Sequence, residues 1–191
     1  MALERLGAQS ELSGAAPRWT TPVPTDAELL ERLRRSGIRL DREGRFVHEG
    51  AEVTHEGLRR ALFRWLDTEP DGRVVLRLDA RRFAYVDVDD TPLVARAARL
   101  EGDGAGARVL LALSDGSEEP LDPETLTLDG AGVLRARVRG GRLEARLGTS
   151  AAAVLADLVS DEAGRPVLTL AGRRHPLADR PRRAPSPATS P

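Results

Sequence analysis

IRLDREGRFVHEGAEVTHEGLRRALFRWLD, residues 38–67, contains the unit from which the whole chain is built. Ile38 and Leu40 lead into a turn at Arg42 to Gly44, and Phe46 follows it, which is the signature of a hairpin. Glu49-Gly50 makes a second turn. Thr54 then caps a helix in which Leu58, Ala61, Leu62, Trp65 and Leu66 recur at i, i+3, i+4, i+7 and i+8, one helical face.

Upstream, TDAELLERLRRSG predicts an N-terminal helix. Thr25 and Glu28 form a capping box, Leu29, Leu30 and Leu33 an apolar stripe, and Gly37 the stop. Downstream, GRVVLRLD, RFAYVDVDD, LVARAARLEG, ARVLLALSDG and LTLDGAGVLRARVRG alternate as strands do. TSAAAVLADLVSD is a second amphipathic helix with Ala151, Val154, Leu155, Leu158 and Val159 on one face, and PVLTLAG is a closing strand.

The unit recurs. Phe63–Tyr85 aligns with Leu155–Leu177 through Leu66/Leu158, Gly72/Gly164, Arg73/Arg165, Val75/Val167, Leu76/Leu168, Leu78/Leu170, Arg81/Arg173 and Arg82/Arg174, and IRLDREG matches LTLDGAG. Each half therefore reads as strand, turn, strand, helix, hairpin. The expected fold class is α+β: two tandem, structurally similar lobes, each a small antiparallel sheet or partial barrel with one helix, plus the N-terminal helix. The expected boundaries are a disordered leader over 1–24, lobes over 25–100 and 101–178, and a disordered Pro/Arg-rich tail over 179–191.

Composition narrows the chemistry. Of 191 residues, 40% are hydrophobic and only 3% aromatic, so the core must be built from Leu, Val and Ala. All basic residues are arginine; there is no lysine and no cysteine, a usage that fits a GC-rich bacterial genome. Thiolate metal sites, cysteine nucleophiles, lysine Schiff bases and a P-loop lysine are excluded. A net charge of −1 gives no chain-wide footprint for nucleic acid or an anionic membrane. No apolar run approaches a membrane span, and the N-terminus lacks the apolar core of a signal peptide, so the expected location is the cytoplasm.

The strand and glycine turn RFVHEGAEV, the helix GLRRALFRWL, the acidic-then-proline signature YVDVDDTPLVA and the later VLRARVRGGRLEARLGTSAAAVLADL resemble a bacterial family catalogued as domain of unknown function 1285. The resemblance spans roughly residues 25–177. It implies two similar α+β lobes in tandem and a role in signalling or ligand binding, with no established activity and no catalytic residues to carry over. GRPVLTLAGRRHPL departs from that family's aromatic-rich C-terminal hairpin.

Several side-chain groups are candidates for chemistry. His48 and His55 lie in two His-Glu-Gly triplets, seven residues apart, with Glu49, Glu52 and Glu56 near them. One reading is a metal or acid–base site. The other, which we prefer, places His48 at the end of a strand and His55 at the first position of a helix capped by Thr54, because helical metal pairs are spaced by four. Asp87, Asp89 and Asp90 could hold a cation, or close a strand before Pro92. Arg135, Arg137 and Arg139 alternate along one strand and make the first choice for an anionic ligand; the pairs Arg81-Arg82 and Arg173-Arg174 come second. Gly102, Gly104 and Gly106 are flanked by strands and read as a hairpin loop rather than a dinucleotide site. Ser114, Ser117 and Ser160 lack nucleophile-elbow glycines, and the aromatics are too few to make stacking platforms for single-stranded nucleic acid. The expected function is a non-catalytic ligand-binding or regulatory module that takes a small anion, or a protein partner, at the cleft between the lobes, with no cofactor. The alternatives are a metal-dependent hydrolase using the His48/His55 region, and a protein-interaction scaffold.

Overall fold

The computed structural model describes residues 34–180. The expected leader, almost all of the expected N-terminal helix and the tail beyond Arg180 lie outside the described residues. Within them the protein is α+β and dominated by strands. Gly37, expected to stop the first helix, instead sits at φ +64 inside strand β1 (Arg35–Leu40), where the pairing register shifts between Arg35 and Arg39. A residue without Cβ tolerates the left-handed conformation that such a bulge demands.

Strands β1, β2 (Phe46–His48) and β3 (Ala51–Glu52) are followed by helix α1 (Glu56–Trp65) and then by β4 (Leu66–Thr68), β5 (Val74–Arg77) and β6 (Phe83–Val88). They form one six-stranded sheet in the order β3-β2-β1-β6-β5-β4, antiparallel except where β1 runs parallel to β6. Next come β7 (Leu93–Glu101), β8 (Arg108–Leu113) and β9 (Glu118–Pro120), an antiparallel meander. The chain then continues through β10 (Thr127–Leu128), β11 (Leu134–Val138), β12 (Leu143–Leu147), helix α2 (Thr149–Ala156), β13 (Val159–Glu162), β14 (Arg165–Leu170), β15 (Arg173–Pro176) and β16 (Ala178–Asp179).

The second sheet runs β16-β10-β11-β12-β7-β8-β9, and β13-β14-β15 form a third. The element order of residues 35–88 thus recurs over 127–179, with β16 parallel to β10 as β6 is to β1. In the second stretch the strand corresponding to β6 breaks at Leu177, between β15 and β16, although the Leu177 N–H still donates to the Pro166 carbonyl at 2.9 Å. Sheet membership changes between Val88 and Leu93. Strand β7, all but its last residue assigned from sequence to the first lobe, pairs into the second sheet against β12.

The turns that open the two stretches have the same wiring. Asp41 Oδ1 accepts from the Glu43 and Arg45 N–H groups at 3.0 and 2.8 Å, and Asp129 Oδ1 from those of Ala131 and Val133 at 2.9 and 3.0 Å. In each an aspartate carboxylate gathers the loop amides and a glycine takes the left-handed position: Gly44 at φ +73 and Gly132 at φ +77. Gly44 is also a point of close approach, since a Cβ there would come within 3.0 Å of Ser114 Oγ.

One aliphatic core joins the sheets, running from Leu40 and Phe46 through Leu62, Leu93, Leu111 and Leu143 to Leu155 and Leu168. Phe46 meets Phe63 edge-on with ring centroids 4.8 Å apart. The face of α1 differs from the expected one. Leu62 and Phe63 are buried, whereas Leu58 is 46% exposed. The helix is only ten residues long and packs on β5 through its C-terminal turn, so its first turn is uncovered.

Candidate functional site

Strand β11 places the three arginines in three different environments. Arg135 is buried: its Nε and Nη2 donate to Asp129 Oδ2 at 3.2 and 3.0 Å, and its Nη1 lies 2.6 Å from Asp90 Oδ1. Burial alone would depress its pKa, but Asp90 and Asp129 outweigh that and raise it. Asp90 also lies 3.3 Å from Arg146 Nε, and Arg146 Nη2 donates to the Arg42 carbonyl at 2.7 Å. Asp89 pairs with Arg39 at 2.6 Å, and the buried Thr91 hydroxyl accepts from the Arg146 N–H and donates to the Leu93 carbonyl. The acidic-then-proline signature is therefore the seam between the first two sheets. Asp89 and Asp90 face arginines there, while Asp87 is exposed on β6.

Arg139 follows β11 at φ +52 and reaches across to the first helix. Its Nη1 donates to the carbonyls of Phe63 and Leu66 at 2.8 and 3.4 Å, and its Nη2 to Asp115 Oδ2 at 2.5 Å. A cation at the carbonyl end of a helix satisfies acceptors that the helix leaves open and complements its dipole. Burial by itself pushes the Asp115 carboxyl up. The Ser117 hydroxyl and Arg139 together outweigh that and hold it below the ordinary value.

Arg137 differs from both. Its backbone N–H donates to Thr125 Oγ1 at 3.1 Å, but its guanidinium is exposed and has no hydrogen-bond or ion-pair partner among the described residues. It lines a cleft of about 350 Å³ between the first two sheets. Thr68, Gly72 and Val74 form one wall, and Thr125, Thr127, Ala136 and Arg137 the other. Glu144, in register opposite Arg137, is held by Arg180 through two contacts at 2.6 and 3.1 Å. Arg180 falls within the tail expected over 179–191. It is instead tied to the second sheet, its N–H donating to the Leu128 carbonyl at 2.9 Å.

Of the expected ligand-facing arginines, then, the structure puts Arg137 on a cleft and sets Arg135 and Arg139 into internal networks. Arg82 and Arg174, at matching positions of the repeat, pair with Asp79 and Glu162. Sequence reading missed Thr68, Thr125, Thr127 and Glu144. They come from separate strands and turns, and no local pattern marks them.

The two histidines are used separately. His55, not Thr54, is the N-cap of α1: its Nδ1 accepts from the Leu58 N–H at 3.1 Å, so Nδ1 carries no proton there. His48 ends β2, opposite Ile38, with its ring beside Gly37. Among the described residues, no group of three or more His, Asp or Glu side chains is placed to hold a metal ion. The third histidine, His175, links β15 to the turn before β10 through Nδ1 and Glu124 Oε1 at 2.6 Å. Gly102, Gly104 and Gly106 lie in the loop joining β7 to β8, as expected. No helix among the described residues is long and apolar enough to cross a membrane.

This arrangement of sheets is shared with a solved structure, a DUF1285 family protein from Silicibacter pomeroyi DSS-3. The two are 23% identical and superpose with a TM-score of 0.63 over 75% of this chain and 80% of that one. The chain has the DUF1285 fold. A second DUF1285 family protein, from Shewanella baltica OS155, is 16% identical with a TM-score of 0.47 over 59% of this chain and 84% of that one. No family model and no curated protein matches the sequence. In this version of the DUF1285 fold, the cleft beside Arg137 is built from both stretches that repeat.

Proposed function

We propose that the protein is a non-catalytic binding module that holds a small anion in the cleft between its two halves, with Arg137 as the anchoring cation. The single observation that carries this reading is the guanidinium of Arg137, unpaired among the described residues, on the cleft wall, two residues from arginines that are paired with carboxylates on either side. A planar guanidinium binds carboxylate or phosphate bidentately, and the threonine hydroxyls of the cleft can both donate and accept. The volume, about 350 Å³, suits a small metabolite. We read the halves as tandem lobes of a duplicated motif. The matched strand order and the matched aspartate turns support that reading, and it makes a hinge-like regulatory or signalling role natural.

The test is thermal shift with inorganic phosphate, nucleotides and small carboxylates on the full chain. A ligand at about 100 times its Kd adds about 2.7 kcal/mol to stability. Arg137→Gln is expected to abolish the shift while leaving the unliganded Tm unchanged. Absence of a shift with every anion, or a shift that survives Arg137→Gln, overturns the proposal.

A further inference from the structure

A second concavity, of about 450 Å³, is mostly apolar and lies beside α1. Ile38, Leu62, Trp65, Leu76, Leu78 and Phe83 line it, and Leu78 is 52% exposed. Leu58 continues the same helical face as Leu62 and Trp65 and is exposed as well. With Ile38, Trp65 and Phe83 half-buried and Leu58 and Leu78 about half exposed, this apolar surface calls for a covering partner.

Where the described chain begins suggests the partner. Arg34 is helical, lines this groove, and stacks its guanidinium 4.2 Å from the centroid of the Phe83 ring. Ser36 Oγ then donates to the Tyr85 carbonyl at 2.5 Å. The chain is thus pinned at the lip of the groove directly after Leu33. The preceding residues carry the capping box at Thr25 and Glu28 and the apolar stripe Leu29, Leu30 and Leu33, all within about two and a half helical turns of the pinned point. Charge agrees with the placement. Arg81 lines the groove and its guanidinium has no carboxylate partner among the described residues, while the segment brings Asp26, Glu28 and Glu31.

We propose that Thr25–Leu33 docks in this groove as an amphipathic helix, with Leu29, Leu30 and Leu33 against Leu62, Trp65 and Leu78. The groove is then an intramolecular interface, distinct from the cleft at Arg137.

The chain has two tryptophans, so Trp19→Phe leaves Trp65 as the sole reporter in an otherwise full-length protein. In that background Leu30→Asp/Leu33→Asp is expected to shift Trp65 emission to the red, increase its quenching by acrylamide, and lower Tm by about 5 °C or more. Leu78→Asp, at a position already half-exposed, is expected to produce the same optical change from the opposite side. Leu12→Asp, outside the segment, should change nothing. Unchanged emission and Tm in both the Leu30/Leu33 and the Leu78 variants overturn the proposal. So does Trp65 shielding that depends on protein concentration, because the occupant would then be a second copy.

Discussion

Replacing Arg139 with alanine removes a side chain that ties the carbonyl end of α1 to the β8–β9 turn. The side chains of Arg139 and Asp115 are 19% and 5% exposed, so the pair is largely withdrawn from water. Removing one partner of a buried ion pair costs about 3–5 kcal/mol, because the remaining charge is left buried. Ser117 still donates twice to Asp115, through its N–H at 2.9 Å and its hydroxyl at 2.6 Å, which places the expected cost at the low end, about 3 kcal/mol. For a domain of this size that is a fall in Tm of about 6–12 °C. Alanine is the right replacement because it retains a Cβ at the left-handed φ, whereas glycine would relieve strain and mask part of the loss. Urea denaturation of Arg139→Ala, Asp115→Ala and the double variant gives the coupling, expected at about 1–2 kcal/mol, since the second deletion removes a charge already orphaned by the first. Acid weakens the effect. The Asp115 carboxyl is held below its ordinary value of 3.8, so its contribution is fully present above that pH and is lost as pH falls through the folded value. A cost for Arg139→Ala under about 0.5 kcal/mol, the range of an ordinary surface change, would refute the bridging role. Strict additivity in the double variant would do the same.

The remaining predictions concern caps, turns and buried charge. His55→Ala should destabilise by about 1 kcal/mol and His55→Asn by much less, because only the latter can still cap α1; equal losses, measured by thermal denaturation, would show that the imidazole does something else. Asp41→Ala should cost about 1–2 kcal/mol, since its carboxylate collects two loop amides and a half-exposed arginine, while Asp129→Ala should cost more, about 3 kcal/mol, because it also strands the buried Arg135. Equal losses in urea would mean that the Arg135–Asp129 pair adds nothing. The Asp79 carboxyl is lowered to about 2 by the N–H groups of Arg81 and Arg82 and then by the Arg82 side chain. A carbon-detected NMR titration should find that midpoint, and the stability this group supplies should be complete above its ordinary 3.8 and disappear as pH falls through about 2. Arg135→Ala should cost about 3 kcal/mol by stranding Asp129 and part of Asp90, while Arg135→Met, which fills the volume, should cost less in the same unfolding assay.

Local grammar was readable along the chain because turns and amphipathic elements are set by neighbouring residues. The turn at Arg42 to Gly44 was legible, and LTLDGAG matched it, since a glycine at positive φ is a local requirement; that Asp41 and Asp129 gather the loop amides came from the structure. Val75/Val167 and Leu76/Leu168, aligned by the sequence, lie on β5 and β14. Local reading was weakest where two partners compete for one end. Thr54 and His55 are both able to cap α1, and the backbone geometry, extended at His55, selects the histidine. Leu58 fits the helical face by spacing, yet the sheet beneath α1 ends before it, so periodicity identified a face without saying how much of it would be covered.

By itself, then, the sequence determined the strand–turn–strand–helix order of residues 38–67, an aliphatic core and the absence of thiol or lysine chemistry, because these follow from composition and from spacings of a few residues. Only the tertiary structure decided which arginine is free. Arg135, Arg137 and Arg139 alternate identically along the chain. Asp90, Asp129 and Asp115 reach the first and third from other elements, across as many as 45 positions in the case of Asp90. Whether a charge is neutralised depends on what lies within a few ångströms of it in space, and a one-dimensional pattern does not contain that distance.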